Sequence, residues 1–226
     1  ISASVRGSEK SSARRGRCAR TESGAKQLVA LAKAGELAGS LAQVAGHAIS
    51  ACPWEGPRKA AADVLPMPKS KGGEKLPPVA ELVRRGGKAD RGKAVFAGAG
   101  TCAKCHVVNG EGKEVGPNLS GVGAKLSREA IYEAILAPSA AISHNYESWT
   151  ALLDDGRTIS GLLISKTPDQ FVLRGVDGLD VTLAAAEVEE LARQPVSLMP
   201  GDLAATLSAA ELVDLVAWLE TLKTPK

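Results

Sequence analysis

Residues 98–106 read Gly98-Ala99-Gly100-Thr101-Cys102-Ala103-Lys104-Cys105-His106, and the last five form a C-x-x-C-H motif. That spacing is the attachment signature of c-type haem. Two thiols three positions apart on a tight turn can each form a thioether with one vinyl group. The adjacent His is then held beneath the ring with Nε2 toward iron. Gly98 and Gly100 let the backbone pass close to a flat macrocycle. A lone C-x-x-C redox pair gives no reason for the neighbouring His. A zinc site needs a second ligand pair, and no second C-x-x-C or H-x-H exists. The expected cofactor is one covalent haem c with its iron.

Working outward, Gly116-Pro117-Asn118-Leu119 follows within about a dozen residues. Proline has no N–H, and the Pro117 carbonyl can accept the Nδ1–H of His106. Such a bond fixes the tautomer and makes the imidazole a stronger donor. The sixth coordination position is then His, Met or open. Met199 lies in Ser197-Leu198-Met199-Pro200-Gly201, where the proline restricts the loop, and it is the expected sixth ligand. Met67, between Pro66 and Pro68, sits in a stretch that reads as a mobile linker. His47 falls on an Ala-rich helix. His144, in His144-Asn145-Tyr146, is the rival, as a distal group with Tyr146 in a catalytic pocket.

Apolar residues at helical spacing mark residues 24–66: Leu28, Leu31 and Ala32, then Leu37, Leu41, Val44 and Ala48. This reads as two or three short helices of a helical-repeat type, too few to bury their own faces as a solenoid. Residues 67–85 read as a Pro-, Gly- and Lys-rich linker. A helix is expected from Asp90 to about Ala97. Residues 98–126 read as irregular. A second helix runs from a Ser127 cap to about Leu136 before Pro138. From Trp149 the period shortens to that of strands. Asp155-Gly156 and Asp177-Gly178 separate pairs of short segments rich in Leu, Ile, Val and Thr, a strong hairpin signal. About four antiparallel strands are expected, as an insertion at about 148–190. Ser208 and Glu211 have capping-box spacing ahead of a final helix striped with Leu212, Leu215, Val216, Leu219 and Leu222.

The 226 residues are 44% hydrophobic, 23% charged and only 3% aromatic, so a core must rest on aliphatics or a large flat cofactor. No apolar run approaches the length of a membrane helix, and no signal-peptide pattern is present. Ile1 reads as the start of a processed or trimmed chain. The net charge of +3 divides into +5 on residues 1–26 and −2 on the rest. Residues 1–23 read as a basic flexible tail. No aromatic residue interleaves its charges, so nucleic acid is not an expected partner. Cys18 and Cys52 read as free thiols or as a disulfide. Residues 84–125 carry a net +5, either a solvated surface or a rim that steers an acidic redox partner.

The order C-x-x-C-H, Gly-Pro-Asn-Leu, a helix ending at Pro138-Ser139, Tyr146-Glu147, Asp-Gly hairpins, Met-Pro-Gly and a Leu-rich helix resembles the planctomycete- and verrucomicrobial-type haem-binding domain family. The resemblance covers roughly residues 86–223. It implies a mainly α class I cytochrome c fold over residues 86–226 with a small antiparallel β insertion, preceded by a short HEAT-like helical segment. It also implies a helix crossing in which Gly92 permits close approach and Phe96 and Trp218 fill the contact. In this family the domain often closes long exported proteins, so a periplasmic or otherwise exported protein is expected, together with redox protein partners such as an exported dehydrogenase or a terminal acceptor. The expected activity is single-electron transfer by a His106/Met199-ligated mono-haem protein that is not itself an enzyme. The alternatives are a peroxidase-like haem enzyme with an open or labile sixth site, and an electron-transfer subunit docked in a larger dehydrogenase or respiratory assembly.

Overall fold

A computed structural model describes residues 21–37, 42, 45–46, 48–49, 52, 54–65 and 69–223. Most of the basic tail with Cys18, and likewise Leu41, Val44, His47 and Met67, lie outside these residues, so readings that rest on them are untested. In chain order the elements are α1 (Glu22–Lys33), α2 (Glu55–Ala61), α3 (Val79–Leu82), α4 (Ala89–Ala97), α5 (Val122–Lys125), α6 (Arg128–Leu136), β1 (Ser148–Leu153), β2 (Thr158–Lys166), β3 (Gln170–Arg174), β4 (Asp180–Ala184), β5 (Val188–Arg193) and α7 (Ala209–Leu219).

The helices form where local chemistry starts and stops them. The Ser127 hydroxyl accepts the Ala130 N–H at the start of α6. The helix ends before Pro138, because a residue preceding proline is pushed out of the helical region. At α7 the Ser208 hydroxyl accepts the Glu211 N–H, and the Glu211 carboxylate accepts the Ser208 N–H, a complete capping box. The apolar stripe of α7 buries Leu212, Val213, Leu215, Val216 and Leu219. Each such side chain contributes about 1.5–3 kcal/mol relative to exposure. That stripe packs with Val95 and Phe96 of α4, Ile131, Tyr132 and Ile135 of α6, and Val79 and Leu82 of α3 in one core.

The crossing of α4 and α7 depends on Gly92. A Cβ there would stand 2.0 Å from the Asp214 carbonyl oxygen. Phe96 and Trp218 fill the adjoining space, with ring centroids 4.9 Å apart. Arg128 ties the periphery together. Its Nε donates to Glu220 Oε2 (2.7 Å), and its Nη1 lies 3.2 and 3.1 Å from the carbonyls of Val83 and Arg85. The single turn α3 thus belongs to this core, although it falls within the stretch expected as linker.

A separate cluster joins α1 and α2 through Ala25, Leu28, Val29, Ile49, Cys52 and Leu65. Cys52 is a buried free thiol, its pKa raised by burial.

The expectation of a mainly α fold is overturned. Helix accounts for 37% and strand for 18% of the described residues. One fully antiparallel five-stranded sheet, in the order β4-β3-β2-β1-β5, packs Ala151, Leu153, Leu173 and Leu183 into a core of its own. The fifth strand is the addition. Val188-Glu189-Glu190-Leu191-Ala192-Arg193 is rich in helix-favouring residues and does not alternate. It becomes a strand by pairing back across the sheet with β1, past a bulge at Leu152/Leu153. The sheet stands between α6 and α7 in the chain and leaves α4 and α7 free to meet.

Candidate haem site

Helix α4 delivers the chain into the C-x-x-C-H turn. The Gly100 N–H donates to the Val95 carbonyl (2.8 Å) and the Thr101 N–H to the Gly98 carbonyl (2.9 Å). Thr101 then adopts φ 52°, a costly left-handed conformation for a β-branched residue. It starts the 3₁₀ turn Cys102–Lys104. The Cys102 carbonyl accepts the N–H groups of both Cys105 (3.1 Å) and His106 (2.9 Å). One turn therefore carries both thiols and the imidazole. Burial pushes the Cys102 thiol up to about 11.

The next loop folds back under His106. The Cys105 carbonyl accepts the N–H groups of Val115 (3.0 Å) and Gly116 (2.6 Å), and the Val107 carbonyl accepts that of Leu119 (2.9 Å). A Cβ on residue 116 would stand 2.5 Å from His106 Cε1, so glycine is required where the loop crosses the ring. The Pro117 carbonyl comes to rest 2.8 Å from His106 Nδ1. A carbonyl can only accept, so Nδ1 carries the proton and Nε2 keeps its lone pair. Burial pulls the His106 pKa down, against a smaller opposing pull from that carbonyl. A neutral imidazole is the form a metal requires. These residues fit a covalent haem: two half-buried thiols free of any disulfide, and an imidazole with one nitrogen free to serve as a ligand.

Met199 is half-buried and packs on the same core as Cys102, Ala103, Leu119 and Val122. Its loop is fastened at both ends. The Met199 N–H donates to the Ser197 hydroxyl (3.1 Å), and the Ser197 N–H to the Ser139 hydroxyl beyond α6 (3.0 Å). Downstream, the Thr206 hydroxyl lies 3.2 Å from the Ala99 carbonyl just before the haem motif. His144 instead points to solvent, its side chain 89% exposed and Nδ1 3.7 Å from Glu147 Oε1. Tyr146 is half-buried. Sequence reasoning missed Ser139, Ser197, Thr206 and Arg174. The side chains of Ser139, Thr206 and Arg174 act on backbone far along the chain, where no local pattern announces a contact, whereas the Ser197 hydroxyl acts two residues on, at Met199.

Residues 89–149 match the family model for cytochrome c. The match begins with α4 and ends in β1, so it spans the C-x-x-C-H turn, the Gly-Pro loop and α6. It supports haem binding and electron transfer, with the covalent haem c, iron and redox partners that a cytochrome c implies. Met199, most of the sheet and α7 lie beyond it. Comparison with curated proteins found no match.

Proposed function

We propose that the chain is a mono-haem c-type cytochrome that passes single electrons between redox proteins. In this reading Cys102 and Cys105 hold the haem through thioethers, and His106 and Met199 are its axial ligands. The carrying observation is the His106 imidazole, with Nδ1 on the Pro117 carbonyl and Nε2 left as a ligand. The packing of Met199 on the core that also receives Cys102 supports the second ligand. The bound group supplies a one-electron couple at iron, and a thioether ligand favours the reduced state relative to a second imidazole.

The residues of the chain do the rest. Pro117 keeps the imidazole in one tautomer and one orientation. The doubly fastened Met199 loop holds a weak ligand in place through both valence states. Gly116 lets the loop close on the ring and exclude water from it. Residues 1–23 as a flexible tail, 24–66 as a HEAT-like segment, 67–85 as a linker and 86–226 as the cytochrome domain complete the reading. So do the likeness to the planctomycete- and verrucomicrobial-type family and an exported, periplasmic location. Among the described residues no helix is long and apolar enough to cross a membrane.

The test is absorption spectroscopy of the dithionite-reduced protein with and without carbon monoxide. A low-spin c-type spectrum that carbon monoxide leaves unchanged is expected. The Met199→Ala variant should keep its covalent haem and bind carbon monoxide at once. Immediate binding by the unaltered protein would overturn the Met199 assignment.

A further inference from the structure

The β3–β4 hairpin reaches across to the loop that carries Pro117. Arg174, at the end of β3, donates from Nε and Nη2 to the two carboxylate oxygens of Asp180 on β4, at 2.7 and 2.9 Å. Its Nη1 donates to the Glu114 carbonyl at 3.1 Å. Beside it, Lys113 Nζ lies 3.3 Å from the Asp177 carbonyl. At Gly178 a Cβ would stand 3.4 Å from Val115 Cγ2. Three successive residues after the haem motif thus meet the hairpin.

The Glu114 carbonyl and the Val115 N–H belong to one planar peptide unit. Arg174 grips its oxygen, while the Cys105 carbonyl accepts its N–H at 3.0 Å. The plane is therefore held from the sheet on one side and from the haem turn on the other. The residue after Val115 crosses the His106 ring, and the one after that binds Nδ1. The Asp180 fork fixes the guanidinium plane and so aims its third donor, a geometry that the single ammonium of lysine cannot reproduce.

We propose that Arg174 is a positioning residue for the haem ligand: it locks the Glu114–Val115 peptide, and through it the Pro117 carbonyl, onto His106. The sheet then acts as a brace on the proximal loop. This rests on the reading of His106 as the axial imidazole.

The test uses the haem-loaded protein. Amide hydrogen exchange is read at Val115 and Gly116, and the midpoint potential is measured by redox titration. In Arg174→Met, exchange at Val115 should quicken about tenfold or more, the loss of one hydrogen bond to a charged group. In Arg174→Lys, which conserves charge, exchange should rise by less. The potential should also rise, because a loosened Nδ1–H bond leaves the imidazole a weaker donor to oxidised iron. Arg157→Ala, which breaks an exposed pair at the β1–β2 turn, should change neither. Unchanged exchange in Arg174→Met with the sheet intact, or an unchanged potential in Arg174→Lys, would overturn the proposal. If Arg174→Met does not fold, Asp180→Asn frees the guanidinium and must give the same acceleration. Failure of the axial-ligand reading would show separately, in the spectrum and carbon monoxide response of the unaltered protein.

Discussion

Helices α4 and α7 lie more than a hundred residues apart in the chain and meet over Gly92. Strands β1, β2 and β3 each pair with the next strand along the chain, and β5 passes by the edge strand β4 to reach back to β1. The helical core therefore closes large loops for its contacts, whereas the sheet forms most of its ladder locally. Their interiors differ in the same way. The helical core gathers residues from α3, α4, α6 and α7 around one stripe. The sheet keeps a small cluster of its own. A unit whose contacts are mostly internal can stand between α6 and α7 without disturbing their packing. On the His106 side its leverage comes through the few bonds that cross to residues 113–115, and on the Met199 side through the Ser148 hydroxyl, which donates to the Val196 carbonyl at 2.5 Å.

The sharpest way to break this comparison is to place a methyl group in each interior. Gly92→Ala puts a Cβ 2.0 Å from the Asp214 carbonyl, a backbone atom that cannot step aside. The helices must separate, and the Phe96–Trp218 contact opens with them. A loss of about 3 kcal/mol or more is expected in chemical denaturation, together with a weakened or absent haem spectrum.

Gly161→Ala makes the corresponding intrusion in β2, 2.4 Å from the Arg174 carbonyl. A smaller cost of about 2 kcal/mol is expected, confined to the sheet. Amide exchange should quicken across β2 and β3 while the α4 and α7 amides stay protected. Equal acceleration in both regions would show one cooperative unit and overturn the separation drawn here.

The two regions also differed in legibility. The starts of α6 and α7 followed from Ser127, Ser208 and Glu211, because caps are local, whereas α7 ends at Leu219, short of the Leu222 to which its stripe extends. The first four strands followed from alternation and from two Asp-Gly turns, whose glycines adopt φ 84° and 83°. Strand β5 did not, because Glu189, Glu190 and Ala192 favour helix and only pairing with β1 decides the matter. The overall balance of helix and strand was misjudged for the same reason, since a sheet grows by a strand that its own residues do not specify. At the site, Cys102, Cys105 and His106 stood out because covalent haem attachment dictates their spacing, and Pro117 because its carbonyl can accept from His106 Nδ1. Arg174 did not, since any exposed-looking strand arginine reads the same until the Glu114 carbonyl is found beside it.

The smallest effect sharpens the comparison from the helical side, because it concerns a purely local device at the edge of the long-range core. The Glu211 carboxylate accepts from the Ser208 N–H (2.7 Å) and hydroxyl (2.8 Å). These bonds, the backbone one first, hold its pKa below the ordinary value of 4.5. A depressed folded-state pKa stabilises above the unfolded value, and the contribution is lost as pH falls through the folded one. Ser208→Ala should cost about 1 kcal/mol at pH 7, the usual worth of an N-cap. The gap between the variant and the unaltered protein should narrow below about pH 4.5 as the carboxylate protonates in both. Denaturation curves at pH 7 and pH 3 measure it. A gap that stays constant would mean that the bond from the hydroxyl to the carboxylate adds nothing, and that Ser208 caps α7 only by accepting the Glu211 N–H.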